Sequence, residues 1–140
     1  MKRISFEFFP PKTDEGRTKL LTTQQKLLAK KPAFFSCTFG AGGSTRDNTR
    51  EMVGKLREQH ADTAPHLSCI GQSREEILEL VRGYRDSGVR RIVALRGDLP
   101  SGMGYAQSEV KYADDLVRLI REETGDHFTL EVAAYPEMHP

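Results

Sequence analysis

Short strand-like segments recur about every 30 residues along this 140-residue chain, a spacing that matches one βαβ unit. Each segment is rich in β-branched and aromatic residues, which favour strands. The segments are residues 4–9, 34–39, 65–70, 91–96 and 129–135. Strands that alternate with helices at this spacing predict a parallel sheet with right-handed crossovers. No linker or low-complexity tract interrupts the repeat, so residues 1–140 are predicted to belong to a single domain.

Apolar residues at helical spacing predict four helices between the strands. The apolar positions are Leu20, Leu21, Leu27 and Leu28 in the first, Thr49, Met52, Val53 and Leu56 in the second, Ile77, Leu80, Val81 and Tyr84 in the third, and Val110, Ala113, Val117 and Ile120 in the fourth. The helix ends carry typical capping residues. These are Ser44 or Thr45 before the second helix, Ser73 with Glu76 before the third, and Gly88 and Gly125 after the third and fourth.

Two architectures fit this order of elements: an open doubly wound sheet of five strands, or the first part of an eight-stranded barrel of about 250 residues. One side-chain parity of the strands is apolar: Ile4, Phe6, Phe8, Phe35, Cys37, Phe39, Leu67, Cys69, Leu130, Val132 and Ala134. The other parity is assigned Ser5, Glu7, Ser36, Thr38, His66, Ser68, Ala94, Arg96, Glu131 and Tyr135. An open sheet would bury these polar groups under helices, which costs free energy. The pattern therefore predicts an α/β fold, a (β/α)8 TIM barrel of which this chain supplies about the first five strands and four helices.

Charge and composition exclude several classes of function. The chain has 21 Lys+Arg against 20 Asp+Glu, and this balance lacks the basic excess of a dedicated nucleic-acid binder. No apolar run approaches the roughly 20 residues that cross a bilayer, and the N-terminus lacks a signal-peptide pattern. Cys37 and Cys69 lie on the apolar parity without the spacing of a zinc site. We therefore expect a cytoplasmic protein with no metal, nucleic-acid or membrane partner.

Polar groups at the strand ends are candidates for chemistry, because ligands of parallel βα folds bind there. Glu7 lies among Phe6, Phe8 and Phe9, and an aromatic setting favours a protonated acid that can serve as a general acid at neutral pH. The alternative is a structural carboxylate paired with a cation such as Arg96. Asp98 ends the fourth strand, where it can pair with Arg96 or contact a polar ligand edge.

A glycine-rich loop at residues 40–45 follows Thr38 and leads into the second helix. Backbone N–H groups at a helix N-terminus can bind an anion. The loop lacks the Gly-Lys-Ser/Thr ending of a P-loop, and Thr45 stands where the dinucleotide fingerprint has its third glycine. An anion site and a plain βα turn therefore fit this loop equally well.

Five motifs, one at each strand end, together resemble the methylenetetrahydrofolate reductase family in its bacterial form. They are residues 5–12 (SFEFFPPK), 38–46 (TFGAGGSTR), 66–71 (HLSCIG), 94–100 (ALRGDLP) and 134–140 (AYPEMHP). The resemblance implies a flavoprotein oxidoreductase with FAD at the carboxyl ends of the barrel strands. It further implies that NADH or NADPH reduces the flavin and leaves, after which 5,10-methylenetetrahydrofolate enters and is reduced to 5-methyltetrahydrofolate for methionine synthesis.

The resemblance also implies roles for individual residues. Glu7 corresponds to the general acid that assists opening of the folate's five-membered ring, and Asp98 to a carboxylate beside the pyrimidine edge of the flavin that tunes hydride transfer. The positions that correspond to FAD contacts are Thr38, His66, Arg96, Gly97, Asp98, Tyr135 and His139.

Members of this family are roughly twice as long as this chain, in keeping with a closed barrel. Residues 1–140 are therefore expected to form the N-terminal part of one catalytic barrel, inactive by itself and homo-oligomeric when full length. Two other functions fit the residues less well. One is a different barrel enzyme that acts on a phosphorylated substrate, and the other is a small flavodoxin-like binding module that is complete at this length.

Overall fold

Five strands alternate with four helices in the computed structural model, which describes residues 2–39, 43–98, 109–134 and 136. The strands are β1 (Ser5–Phe8), β2 (Phe34–Cys37), β3 (Thr63–Ser68), β4 (Arg91–Leu95) and β5 (Thr129–Val132). The helices are α1 (Asp14–Leu27), α2 (Gly43–Gln59), α3 (Arg74–Asp86) and α4 (Ala113–Thr124). A single 3-10 turn, Leu28–Lys30, extends α1. None of the described helices is long and apolar enough to cross a membrane.

The strands pair in parallel in the order β1–β2–β3–β4–β5. A doubly wound sheet reverses its winding direction, so its spatial order departs from the order along the chain. A sequential order is instead that of a barrel wall, in which each strand follows its predecessor round the axis. The predicted architecture, the first five strands and four helices of a (β/α)8 barrel, is confirmed, with β1 and β5 as the edge strands.

The hydrophobic core lies between the helices and the outer face of the sheet. The strand residues in it include Cys37, Leu67, Cys69, Ile92 and Ala94, and the helix residues include Met52, Leu56, Ile77, Val81, Leu116 and Ile120. Each large aliphatic side chain that is buried contributes about 1.5–3 kcal/mol. A one-residue slip of any strand would move its apolar set to the other face, so this layer fixes which strand residues point inward.

The predicted parity of β4 is wrong. Ala94 pairs with Leu67 on β3 and with Val132 on β5, and it is fully buried in the outer core. The inward residues of β4 are Val93 and Leu95, which line the interior cavity. The sequence of β4 is apolar at both parities, so hydropathy alone does not determine which face packs against the helices.

The helix ends agree with three of the four capping predictions. Ser73 and Glu76 form a complete capping box, which holds the pKa of the Glu76 carboxyl below its usual value through hydrogen bonds from Ser73. Gly88 and Gly125 follow α3 and α4 with φ of +85° and +60°. The prediction for the second helix is wrong, because α2 begins at Gly43 and residues 44 and 45 lie inside its first turn.

Several predicted positions are shifted. β3 begins two residues earlier than predicted, at Thr63, and ends at Ser68. Beyond its end, Cys69 and Ile70 still donate backbone hydrogen bonds to the carbonyls of Leu95 and Arg96. β5 ends at Val132 rather than at residue 135. Val110 precedes α4, whose buried residues are Leu116, Leu119 and Ile120.

Candidate active site

The inner face of the sheet opens into a cavity of about 920 Å³ near the carboxyl ends of the strands. Residues from all five strand regions line it. The polar ones are Ser5, Glu7, Ser36, Thr38, Arg46, His66, Ser68, Gln72, Asp98 and Glu131. Concave sites of this size, lined by apolar surface and a few convergent polar groups, are typical of binding sites for small molecules and cofactors.

Glu7, Ser36 and His66 form a contiguous polar cluster on three adjacent strands. Glu7 lies opposite Ser36 in the β1–β2 register. The Nε2 atom of His66 lies 3.3 Å from Oε2 of Glu7 and 3.2 Å from Oγ of Ser36. Burial lowers the pKa of His66, and the nearby Glu7 carboxyl opposes that shift. The imidazole is therefore held neutral more strongly than a solvated histidine would be.

The aromatic setting predicted for Glu7 is wrong. Phe6 and Phe8 lie on the outer parity and stack on Phe35, with ring centroids 6.1 Å and 5.6 Å apart. The Glu7 side chain points to the opposite face and is 55% exposed. Neighbours in a strand alternate between the two faces, so the phenylalanines beside Glu7 in sequence do not surround its carboxyl.

Gly97 and Asp98 follow β4 at the cavity wall. Gly97 has φ of +86°, a left-handed backbone conformation that residues other than glycine rarely adopt. Ser68 occupies the space beside it and donates a hydrogen bond from Oγ to the Arg96 carbonyl at 3.0 Å. Asp98 is exposed and also lines the cavity, so the structure brings both residues to the site with Glu7 and His66.

Arg96 is not among the residues that line the cavity. Its predicted place on the inward parity is therefore wrong, since Val93, Leu95 and Gly97 take the inward positions of this segment. The Nε atom of Arg96 donates to the Gly97 carbonyl at 3.3 Å. The side chain that lies against the Glu7 carboxyl is His66, with its Nε2 atom 3.3 Å from Oε2, and not Arg96. The assignment of Arg96 as an FAD contact stays a prediction.

Thr38 lies at the cavity with its backbone tied to two neighbouring elements. Its N–H donates to the Phe8 carbonyl, and its carbonyl accepts from Oγ1 of Thr49 on α2, both at 2.9 Å. The remaining predicted contacts, Tyr135 and His139, lie outside the described residues, as does the start of the glycine-rich loop.

Two further residues of the cavity rim, Arg46 and Gln72, were not predicted. Nη1 of Arg46 donates to Oε1 of Gln72 at 3.3 Å and lies 3.6 Å from Oε1 of Glu76. Gln72 is buried and donates from its amide to the Ser68 carbonyl. Arg46 follows the loop after β2, and Gln72 follows the end of β3. Their loop positions were therefore the signal that could have identified them.

A second polar layer lies nearer the amino ends of the strands. Arg91 is 11% exposed and donates to both carboxylate oxygens of Asp62, at 2.9 and 3.0 Å. It also pairs with Glu131, and its guanidinium lies 4.5 Å from the centroid of the Phe34 ring. The layer beneath the cavity is therefore centred on an ion-paired arginine rather than on apolar side chains alone. The alternating pattern did not identify this layer because Arg91 begins a strand that is otherwise apolar.

Both cysteines are buried in the outer core, as predicted. Burial, with a smaller contribution from Glu7, raises the pKa of Cys37 to about 12, and burial raises that of Cys69 to about 11. Both thiols therefore remain protonated at neutral pH and behave as small apolar groups. Within residues 2–39, 43–98, 109–134 and 136, no three His, Cys, Asp or Glu side chains are grouped to hold a metal.

Comparisons with known proteins identify a family that this chain matches along its length. The sequence profile of the family described as methylenetetrahydrofolate reductase matches residues 1–140. A 5,10-methylenetetrahydrofolate reductase of Pectobacterium carotovorum subsp. carotovorum is 46% identical over 98% of this chain and 45% of its own length. The Escherichia coli (strain K12) protein of the same name is 43% identical over the same shares. The Zea mays protein named methylenetetrahydrofolate reductase (NADH) 1 is 40% identical over 98% of this chain and 24% of its own length.

Proposed function

This chain belongs to the methylenetetrahydrofolate reductase family, and we propose that its protein reduces 5,10-methylenetetrahydrofolate to 5-methyltetrahydrofolate. The chain spans about half the length of the bacterial relatives it matches, 45% in each of the two named above. The observation that carries the proposal is the meeting of Glu7, His66, Gly97 and Asp98 at one cavity. These four residues come from three separate motifs of the family pattern, and the barrel wall brings them together.

FAD is the cofactor that we propose for this cavity. A volume of about 920 Å³ suits a large planar ring. Thr38, His66 and Asp98 offer polar groups around that space. Bound FAD would supply hydride transfer from a reduced nicotinamide to the folate. We propose NADH as the donor, which the name of the Zea mays relative supports, with NADPH as the alternative.

Glu7 is the proposed general acid. Its carboxyl faces the cavity and is half exposed, so a substrate can reach it. The acid proton passes to an amine nitrogen of the five-membered folate ring while the adjacent C–N bond breaks. This step leaves a carboxylate on Glu7 and an iminium ion on the folate, which then accepts a hydride. General acids of this kind typically contribute about 10²–10⁴-fold to rate.

Asp98 is the proposed contact to the pyrimidine edge of the flavin. Its exposed side chain follows β4 and lies next to Gly97 at the cavity wall. A negative charge at this position would tune how readily bound FAD gives up a hydride. Thr38, His66, Arg96, Tyr135 and His139 remain proposed FAD contacts, with no atom assigned to each.

The product, a methyl-carrying folate, suits methionine synthesis, and we place the protein in the cytoplasm as a homo-oligomer. The direct test is anaerobic titration of the purified full-length protein. It should be yellow, lose its flavin absorbance on addition of NADH, and regain it on addition of 5,10-methylenetetrahydrofolate. A colourless protein that binds inorganic phosphate near the start of α2 would contradict the proposal and favour a barrel enzyme for phosphorylated substrates.

A further inference from the structure

We propose that His66, held by Ser36, is the positioning residue that lets Glu7 exist both as an acid and as a carboxylate. This inference rests on the proposed function, because a general acid passes through both states in every turnover. The three groups come from β1, β2 and β3, and the atoms that meet are Oε2 of Glu7, Oγ of Ser36 and Nε2 of His66. A histidine that served only to contact the cofactor would not need to lie against the Glu7 carboxyl.

Nε2 of His66 makes its hydrogen bond with Ser36 in this structure, and Oε2 of Glu7 lies 3.3 Å from the same nitrogen. The Glu7 side chain is half exposed, so a small rotation brings its carboxyl into hydrogen-bonding position with Nε2. When Nε2 carries hydrogen it can donate to a Glu7 carboxylate, and when Nε2 is bare it can accept from a protonated Glu7. The imidazole can meet both requirements while neutral, because its single hydrogen can reside on either ring nitrogen.

Ser36 allows the ring to change between these two forms. Its hydroxyl is 3.2 Å from Nε2, and the residue is 4% exposed. A hydroxyl can accept a hydrogen bond from Nε2–H, and after rotation it can donate one to a bare Nε2. Neither form leaves the buried ring nitrogen without a partner, which would be costly. An asparagine or lysine in place of Ser36 would not offer this symmetry in the same volume.

Burial argues against the simpler interpretation, a permanent salt bridge. The His66 side chain is 8% exposed, and burial lowers its pKa more strongly than Glu7 raises it. An imidazolium there would therefore be disfavoured, and Glu7 would not be trapped as the partner of a fixed cation. A trapped carboxylate could not deliver a proton to the folate.

Other charged groups lie around this pair. Arg46 from α2, Asp98 after β4 and Glu131 on β5 line the same cavity, and β2 contributes no charged side chain to it. Arg91 on β4 lies in the layer below, where Asp62 and Glu131 neutralise it. His66 Nε2 is the only basic nitrogen of the described residues within 4 Å of the Glu7 carboxyl.

The first test measures the ring itself and does not depend on activity. Nitrogen NMR of the full-length, flavin-free protein should show a neutral His66 ring at pH 7, with an Nε2 signal that shifts as Glu7 titrates. In Glu7→Gln that response should vanish, while the rings of His60 and His127 should be unaffected. A doubly protonated His66 at pH 7, or an Nε2 signal that ignores Glu7, would overturn the proposal.

The second test uses two variants with opposite hydrogen-bonding ability. His66→Phe removes both ring nitrogens, and His66→Gln keeps an amide that can donate or accept. In His66→Phe the folate half-reaction should slow by about tenfold more than the NADH half-reaction.

His66→Gln should recover most of the folate rate, whereas His60→Gln should leave both half-reactions unchanged. Equal slowing of both half-reactions in His66→Phe, or no recovery in His66→Gln, would reduce His66 to a flavin contact and overturn the inference. If the wild-type protein reduced no folate, the proposed function would fail, and the NMR experiment would still decide whether the two side chains share a proton.

Discussion

A Cβ atom on Gly97 would lie 1.9 Å from Oγ of Ser68 on the neighbouring strand. That distance is far inside van der Waals contact, and the Ser68 hydroxyl is held there by its hydrogen bond to the Arg96 carbonyl. Gly97 also has a positive φ, so two independent constraints act on one position. At this point the Ser68 side chain on β3 forms the wall of the cavity, and it fits there only because residue 97 has no side chain.

Gly97→Ala should lower the free energy of unfolding by about 3 kcal/mol, because overpacking adds to the left-handed backbone strain. Gly125→Ala is the matched control, since Gly125 also has positive φ but no atom within 4 Å of its Cβ position. It should cost about 1 kcal/mol. Urea denaturation of the full-length protein measures both.

Adding Ser68→Ala to Gly97→Ala should restore part of the loss, about 1 kcal/mol or more, because it removes the clashing oxygen. The strain from φ would remain. If Gly97→Ala and Gly125→Ala cost the same, or if Ser68→Ala gave no recovery, the close approach would not be the cause.

Ser73→Ala should destabilise the protein by about 1 kcal/mol through loss of the α3 capping box. Ser73 accepts from the Glu76 N–H at 3.2 Å, and Glu76 accepts from the Ser73 N–H at 2.8 Å.

The pKa of the Glu76 carboxyl is lowered in the folded state. The stability that this carboxylate contributes is therefore complete above its unfolded-state pKa and is lost as the pH falls through its lower, folded-state pKa. Thermal unfolding at pH 7 and pH 4 should show a smaller difference between wild type and Glu76→Gln at pH 4. An equal difference at both pH values would contradict this role.

Arg91→Lys should cost about 1–2 kcal/mol although it keeps the charge, because lysine cannot reproduce a planar two-oxygen contact. Arg91 bonds both oxygens of Asp62 and stacks over Phe34. Arg118→Lys is the control, since Arg118 is 66% exposed and its ion pairs are on the surface. Calorimetry should show a lower Tm for Arg91→Lys and no change for Arg118→Lys. Equal Tm values for the two variants would show that the buried layer needs only a positive charge.

Stability should depend on His66 as the pH falls below its usual pKa of 6.5. Burial lowers the folded-state pKa, so the unfolded chain binds more protons between the two values. The stabilisation is therefore complete above the unfolded pKa and decreases as the pH falls toward the folded one. Denaturation midpoints between pH 8 and pH 5 should fall more steeply for wild type than for His66→Gln. A steeper fall in His66→Gln would reverse the sign of this argument.

The βα repeat was sufficient to predict the barrel wall, because helical and strand periods alternate clearly and each element has one apolar side. Strand parity was predictable wherever polar and apolar residues alternate, as at Glu7 and Ser36. It failed at Ala94, where neighbouring residues are apolar on both faces and the register to β3 decides the orientation.

The sequence motifs predicted which residues lie at the cavity better than they predicted the contacts between those residues. Motif positions identified Glu7, His66 and Asp98, which the structure brings to one cavity. They did not reveal that His66, rather than Arg96, lies against Glu7, because that contact joins residues 59 positions apart. The environment of Glu7 was inferred from sequence neighbours that lie on the opposite face of the strand, so only tertiary structure could correct it.

The proposed role of Glu7 is in the reduction of the folate and not in the reduction of the flavin by NADH. The most direct measurement is stopped-flow absorbance of the flavin in the full-length Glu7→Gln variant, with each half-reaction followed separately. We predict that NADH reduces the flavin at close to the wild-type rate and that 5,10-methylenetetrahydrofolate no longer reoxidises it. Glu122→Gln, which changes an exposed carboxylate on α4 outside the cavity lining, should retain both half-reactions. Equal loss of both half-reactions in Glu7→Gln, or full retention of folate reduction, would contradict the account.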